Sequence, residues 1–261
     1  MVPLWDIAVA PIFDAASPRR VLEVGALRGE TTRLVLAALG PESELHAVDP
    51  APQFETDEWE AQHPGRFFFH RGLSLDVLPT LPPMDVALID GDHNWYSVYN
   101  ELSELRRTSR GAGVPMPICI LHDVGWPYGR RDLYYAPETI PAEFRQEYAC
   151  AGIVRGQPRL VPDGGLNAHL PNAVEEGGPR NGVLTALEDF IAEHDQSSRL
   201  VVLPVHFGLA FFVEKSRLKA DRRVGKALDE LESPAGLRRL VTFANEAWLA
   251  NQGDLQAAAR S

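Results

Sequence analysis

Five short β-rich runs alternate with helical patterns over the first half of the chain, and this alternation restricts the fold more than any other feature of its 261 residues. Arg20–Val24, Glu44–Val48, Arg66–His70, Met84–Ile89 and Pro117–Leu121 are short and rich in Val, Ile, Leu and Phe. Runs of that kind suit strands buried on both faces. Between them, Thr31–Leu39, the Thr56–Gln62 region and Ser97–Arg107 repeat apolar residues at helical spacing, and Gly40 with Pro41 stops the first. Strands and helices in strict alternation make βαβ units, so the class is α/β on a parallel sheet.

The pattern changes after the fifth run. From Gly125 to Arg180 the chain is rich in Gly, Pro, Tyr and Asn with little periodicity. An irregular stretch this long inside a compact domain is usually a functional lid or binding loop. Regularity returns with a helix over Val183–His194 and two further strands, Arg199–Leu203 and Leu209–Glu214. The five residues between those strands make them an antiparallel hairpin, because a parallel pair needs a longer crossover. Arg222–Glu232 and Gly236–Leu249 read as closing helices, with a polar, frayed tail from Gln252. Residues 1–261 are thus expected to form one domain, with an inserted region at about 125–180.

Charge narrows the partners. Lys and Arg number 25 against 36 Asp and Glu, a net charge of −11. Nonspecific binding to nucleic acid or to anionic lipid needs clustered cations and is not expected. The first residues lack a basic stretch, and Asp6, Pro11 and Asp14 interrupt any apolar run, so no targeting signal is read there. The most apolar segment, Arg199 to Glu214, contains Pro204, His206 and Gly208 and is too short to span a bilayer. A cytoplasmic location without a membrane partner is expected. Cys119 and Cys150 are too few and too far apart for a disulfide framework or a structural zinc site.

Chemistry-bearing residues gather where the strands end. The first strand runs into Glu23-Val24-Gly25-Ala26-Leu27-Arg28-Gly29-Glu30-Thr31. Glycine there permits a tight turn and lets a ligand approach the backbone where a Cβ would clash. The spacing lacks both the G-x-G-x-x-G of a pyrophosphate site and the Gly-Lys-Ser/Thr of a P-loop. Asp49 closes the second strand, 26 positions after Glu23, where a carboxylate can accept both hydroxyls of a ribose. Asp90, Asp92 and His93 follow the fourth strand, and His122 and Asp123 end the fifth. Neighbouring strands lie about 5 Å apart, so these five side chains should converge. Trp126, Tyr128, Arg130, Arg131, Tyr134 and Tyr135 in the insertion, with Asn167 and Asn181 further along, have the makings of a surface for a polyhydroxylated ring.

The Glu23–Gly25–Gly29 loop resembles the E-x-G-x-x-x-G motif of class I S-adenosylmethionine-dependent methyltransferases, and the reversed last strand is similar to theirs. The Ile89-Asp90-Gly91-Asp92-His93 and His122-Asp123 segments resemble a branch of small-molecule O-methyltransferases that includes the macrocin type and cephalosporin-hydroxylase-like relatives. The likeness spans roughly Val21 to Glu214. It implies a Rossmann-like seven-stranded sheet with helices on both faces and an antiparallel final strand. It implies S-adenosylmethionine contacts at Glu23, Gly25, Ala26, Gly29, Thr31, Asp49, Gly72, Ser74, Asp90 and Asp92, the Arg71–Ser74 turn lying where the family contacts adenine. It also implies a bacterial secondary-metabolite enzyme whose small-molecule acceptor is a hydroxyl of a deoxysugar, as in enediyne or macrolide antibiotics.

An alcohol must lose its proton to accept a methyl group, and two arrangements can remove it. His93 or His122 can act as base with Asp123 orienting it. Alternatively, Asp90 and Asp123 can hold Mg2+ or another divalent cation that acidifies the acceptor. The macrocin-type relatives use magnesium, whereas this chain has His122 in place of a second carboxylate, which weakens the metal arrangement or favours a softer ion. A homo-oligomer built on the aromatic insertion or the C-terminal helices is expected. Two other readings stay open: an NAD(P)-dependent oxidoreductase, for which the phosphate loop is missing, and a non-catalytic cofactor-binding protein.

Overall fold

The structure is a computed structural model that describes residues 1–194 and 197–258. Its strands are β1 (Arg20–Val24), β2 (Glu44–Val48), β3 (Phe67–His70), β4 (Val86–Ile89), β5 (Ile118–His122), β6 (Tyr148–Cys150), β7 (Pro171–Ala173), β8 (Arg199–Leu203) and β9 (Leu209–Val213). Seven of them form one sheet in the order β3-β2-β1-β4-β5-β9-β8, and β6 pairs with β7 in a separate ribbon. β1 to β5 are mutually parallel where they pair, and β9 runs antiparallel to both β5 and β8. The expected Rossmann-like sheet with a reversed final strand is therefore present. Its strand order turns back between β1 and β4, and open α/β sheets bind ligands in the crevice above such a switch point.

Register brings the tips together. Val24 pairs with both Val48 and Ile89, Ile89 pairs with Leu121, and His122 pairs with Leu209. The residues just beyond these partners, Gly25, Asp49, Asp90 and Asp123, stand along one edge. Every residue of β4, β5 and β9 is buried, as strands covered on both faces require.

The helices are α1 (Ala10–Ala16), α2 (Glu30–Ala38), α3 (Thr56–Gln62), α4 (Ser74–Val77), α5 (Trp95–Gly111), α6 (Val183–His194), α7 (Lys215–Ala220), α8 (Arg222–Glu232) and α9 (Pro234–Ala258). One core packs α1, α2 and α8 against Val21, Val86, Ile120 and Phe211. The other packs α5 and α6 against Leu22, Ala87, Leu121 and Phe212. Asn94 caps α5 by accepting the Ser97 amide at 2.9 Å, which fixes the helix start beside the β4 tip. Among the described residues no helix is long and apolar enough to cross a membrane.

Two local expectations are corrected, and the first residues, where no element was expected, form helical turns. These turns, over Val2–Leu4 and Trp5–Val9, lead into α1 and bury Leu4, Trp5, Ile12 and Phe13. Asp6, Pro11 and Asp14 hide that pattern, although a proline in a first helical turn loses no needed hydrogen bond. The tail read as frayed from Gln252 continues α9 to Ala258, and residues 259–261 lie outside the described residues. The insertion is not irregular: beside the β6–β7 ribbon, Leu133 bridges Asn172, Gly152 bridges Val161, and Ile153 bridges Leu166.

Buried polar side chains hold that insertion. Fully buried Arg131 donates to the carbonyls of Ala173, of Val174 at 3.0 Å and of Pro158 at 2.7 Å. Asn172 donates to the Ala151, Asn167 and Leu170 carbonyls at 2.9 to 3.1 Å. Asp132 accepts from the Trp95 amide at 2.8 Å, the Gly182 amide at 2.6 Å and the Tyr134 hydroxyl at 2.7 Å. That one carboxylate joins the start of α5, the start of α6 and the insertion, with its charge facing two helix N-termini.

Candidate active site

The glycine turn after β1 is built for close approach. Gly25 has φ +89° and donates its amide to the Val48 carbonyl at 2.9 Å. A Cβ there would sit 2.2 Å from the Asp90 carbonyl oxygen, so only glycine lets the β1 and β4 tips meet. Ala26 is buried and accepts the Gly29 amide at 2.7 Å, closing the turn. Gly29 has φ +73°, and the Trp59 ring would lie 2.7 Å from any Cβ on it.

Two carboxylates flank this turn. Glu23 is almost fully buried and takes the Thr32 hydroxyl at 2.7 Å on one oxygen, while its Oε1 has no partner. Burial, with a smaller push from Asp90 and Asp49, raises its pKa to about 8, against the lowering effect of Thr32. Thr31 itself opens the side of α2 and Thr32 is the residue that reaches the carboxylate. Asp49 accepts the Leu27 amide at 2.8 Å on Oδ2 and the Ala51 amide at 2.7 Å on Oδ1. It therefore sets the glycine turn, with lone pairs left for further donors.

The five tip residues of β4 and β5 converge in part. His122 Nδ1 lies 2.8 Å from Asp123 Oδ2 and 3.3 Å from Asp90 Oδ1. His93 Nε2 lies 3.2 Å from Asp123 Oδ2 and 3.7 Å from Asp90 Oδ1. Each imidazole thus bridges the same two carboxylates. Asp92 turns away and accepts the Ser97 hydroxyl at 2.9 Å in the first turn of α5. Asp123 holds φ +58°, a left-handed conformation that is strained for a non-glycine residue.

Charge in the cluster is balanced by proximity. Burial alone would raise the Asp90 carboxyl, but the His122 and His93 imidazoles beside it outweigh burial and hold it well below the usual carboxylate range. Burial would lower His122, yet Asp123 and Asp90 carry it up to about 9. His93 is raised too, its burial outweighed chiefly by Asp123 and Asp90. The α-amino group of Met1 adds a cation 3.3 Å from Asp90 Oδ2.

Several site features escaped sequence reasoning. Ser74 opens α4 and donates at 2.5 Å to Glu101, a fully buried carboxylate on α5 whose Oε2 is unpartnered and whose pKa burial raises to about 8. A carboxylate among Val98, Leu102 and Leu105 on an apolar helix face was the available signal. Gly72 donates its amide to the Asp49 carbonyl at 3.4 Å, which joins the two turns. The aromatic surface read into the insertion is largely internal: Arg131, Tyr134 and Tyr128 are buried, and only Tyr135, 55% exposed, faces solvent beside the cluster.

Asp90, His93 and Asp123 each offer a ligand atom, all within 4.8 Å of one another, and the two His93 nitrogens complete no hydrogen bond. Two hard oxygens and one imidazole fit a divalent ion. The missing Cβ at Gly25 makes room for the Asp90 backbone, and Glu23 Oε1, left without a partner, can accept one further donor.

Residues 22–124 match the family described as a methyltransferase domain, a segment that holds Glu23, Asp49, Asp90, His93, His122 and Asp123. The matched segment runs from β1 through the residue after Asp123 and carries the tips of β1, β2, β4 and β5. Among solved structures, the O-methyltransferase TomG of Streptomyces achromogenes, involved in tomaymycin synthesis and in complex with S-adenosylmethionine, is similar at 18% identity, TM-score 0.46, covering 79% of this chain and 77% of that one. The O-methyltransferase of Bacillus cereus, in complex with S-adenosylhomocysteine, is similar at 16% identity, TM-score 0.47, over 79% of each chain. A methyltransferase of Geobacter sulfurreducens is similar at 10% identity, TM-score 0.43, over 79% of this chain and 76% of that one. No curated protein sequence matches.

Proposed function

We propose that the chain is an S-adenosylmethionine-dependent O-methyltransferase acting on a hydroxyl of a small molecule, a deoxysugar of a glycosylated secondary metabolite, in the manner of the macrocin-type branch. One observation carries the reading: the Gly25 turn packs on the Asp90 backbone, and the Asp90 carboxylate stands within reach of His93 and His122, both of which also reach Asp123. Cofactor support and acid–base groups therefore meet at one strand edge.

When bound, the cofactor would supply a sulfonium methyl group whose carbon the acceptor oxygen attacks in line, the thioether leaving with the S–C electron pair. The chain's own residues do the rest. Gly25, Ala26 and Gly29 support the methionine portion, with Glu23 as acceptor for its ammonium, and Asp49 receives the ribose hydroxyls. Gly72 and Ser74 lie on the adenine side, and Asp90 offers negative charge to the cationic centre. Holding the reactants in line contributes several kcal/mol.

The acceptor's proton goes to His93, which Asp123 orients at 3.2 Å, with His122 the second imidazole within reach of both carboxylates. In a metal-assisted variant Asp90 and Asp123 would hold the ion with His93 as third ligand, and the ion would lower the pKa of the bound hydroxyl. The imidazole favours manganese or zinc over magnesium. Exposed Leu237, Val241, Trp248 and Leu249 on α9 support self-association as a homo-oligomer.

Calorimetry with S-adenosylhomocysteine tests the cofactor reading: micromolar binding is expected, and a folded sample that binds none sinks it. Loss of methyl transfer in EDTA, with recovery on adding a divalent salt, selects the metal variant. Turnover unaffected by EDTA selects the histidine base.

A further inference from the structure

We propose that Tyr135 and Phe207 are the two walls of the acceptor slot, and that they select a ring-shaped acceptor with a flat apolar face beside the methylated hydroxyl. The inference rests on the O-methyltransferase reading and adds the shape of its substrate. Tyr135 and Phe207 are large aromatic side chains left 55% and 48% exposed, and each touches one of the paired histidines. The Tyr135 ring meets His93 edge-on at 5.8 Å, and Phe207 meets His122 edge-on at 6.4 Å. They come from unrelated parts of the chain, the insertion and the turn between β8 and β9, and flank the same four-residue cluster.

The backbone holds Phe207 there at a conformational cost. His206, Phe207 and Gly208 have φ of +46°, +66° and +87°, three successive left-handed residues of which two carry side chains. The Phe207 carbonyl accepts the Gly125 amide at 2.6 Å, and a Cβ on Gly125 would lie 2.7 Å from that oxygen. The turn is thus pressed against the segment that follows Asp123, itself left-handed at φ +58°. Strain of this kind persists where surrounding structure enforces it, and it collects at ligand sites.

Tyr135 brings a second capability. Its ring lies against His93 and its phenol carries a hydroxyl that can donate. It is available as a donor to an oxygen next to the one methylated. Phe207 has no polar atom and offers only a face. One stacking wall and one stacking, donating wall fit a pyranose or an aromatic ring with neighbouring oxygens, and leave an open-chain polyol without apolar support.

Saturation-transfer NMR on the full chain saturated with S-adenosylhomocysteine tests this, using methyl α-L-rhamnopyranoside, catechol and erythritol as probes. Expected are transfer to one or both ring probes, none to erythritol, and about tenfold weaker ring binding in Phe207→Leu and Tyr135→Ala. Tyr135→Phe should keep stacking and lose affinity only for the probe whose second oxygen it holds. S-adenosylhomocysteine affinity should stay unchanged in all three variants, which separates this inference from the cofactor reading and controls for folding. Erythritol binding as well as the rings, absence of transfer to either ring, or Phe207→Leu binding like the parent would overturn it.

Discussion

Asp132 links the insertion to the two helices beside the site, and its environment makes a quantitative demand on stability. Burial raises its pKa from 3.8 to about 6, against the lowering hydrogen bonds of Tyr134, Gly182 and Trp95. The folded state therefore binds this proton more tightly than the unfolded chain does. Its contribution is complete below about pH 4 and is lost as pH rises through about 6. A shift of about two units at 1.36 kcal/mol each makes the loss about 3 kcal/mol.

Asp132→Asn removes the titration while keeping the geometry: Oδ1 still accepts the Trp95 and Gly182 amides, and Nδ2 can donate to the Tyr134 oxygen. Urea unfolding of both proteins from pH 4 to 7.5 should show the wild type losing about 3 kcal/mol relative to the variant, most of it between pH 4 and 6. Other buried carboxyls, Glu23 and Glu101, titrate equally in both proteins and cancel in the difference. Asp132→Ala should be less stable than the Asn variant by at least about 3 kcal/mol at every pH, because it strands two buried amides and a hydroxyl. A difference between wild type and Asn variant that stays flat across the window refutes the reasoning.

The other predictions concern the site and its cover. Gly25→Ala should abolish S-adenosylhomocysteine binding in calorimetry, since its Cβ would stand 2.2 Å from the Asp90 carbonyl and its φ of +89° disfavours any side chain. His93→Ala should lower methyl transfer at least a hundredfold, measured on radiolabelled cofactor, with calorimetric affinity for S-adenosylhomocysteine kept within a few-fold. Arg180→Ala removes a guanidinium 5.2 Å above both the Trp95 and Phe144 rings, so about 1 kcal/mol of docking is lost and limited proteolysis should cut the insertion faster.

Much of the sheet was legible because its information is local. Runs such as Val86–Ile89 and Ile118–Leu121 are apolar on both faces, and only a strand covered by helices on both sides can bury all of that. The hairpin was legible for a different local reason, since five residues cannot carry a parallel crossover. Helix bounds failed where tertiary contacts decide them. α5 begins at Trp95, two residues before the expected Ser97, because Asn94 caps it and Asp132, 37 positions away, takes the Trp95 amide.

The site divides along the same line. That Asp90, His93, His122 and Asp123 would meet followed from strand adjacency, one spacing applied to two consecutive strand tips. Which of them pair did not follow, because Asp92 had equal claim by position and a single serine, Ser97, one turn into α5 draws it away. The insertion was illegible for a stronger reason. Its order comes from Arg131, Asp132, Asn172 and Asn181, whose hydrogen bonds are buried and mostly reach across tens of residues to backbone groups. Periodicity is a property of apolar burial, and a segment held by polar side chains on carbonyls and amides leaves none. The composition of such a segment also misleads, since Tyr128, Arg131 and Asn181 read as ligand-facing and prove internal. Tyr134 turns in to Asp132 and is buried, whereas its neighbour Tyr135, at a bend, stays exposed with its ring against His93, a difference that residue type alone does not carry.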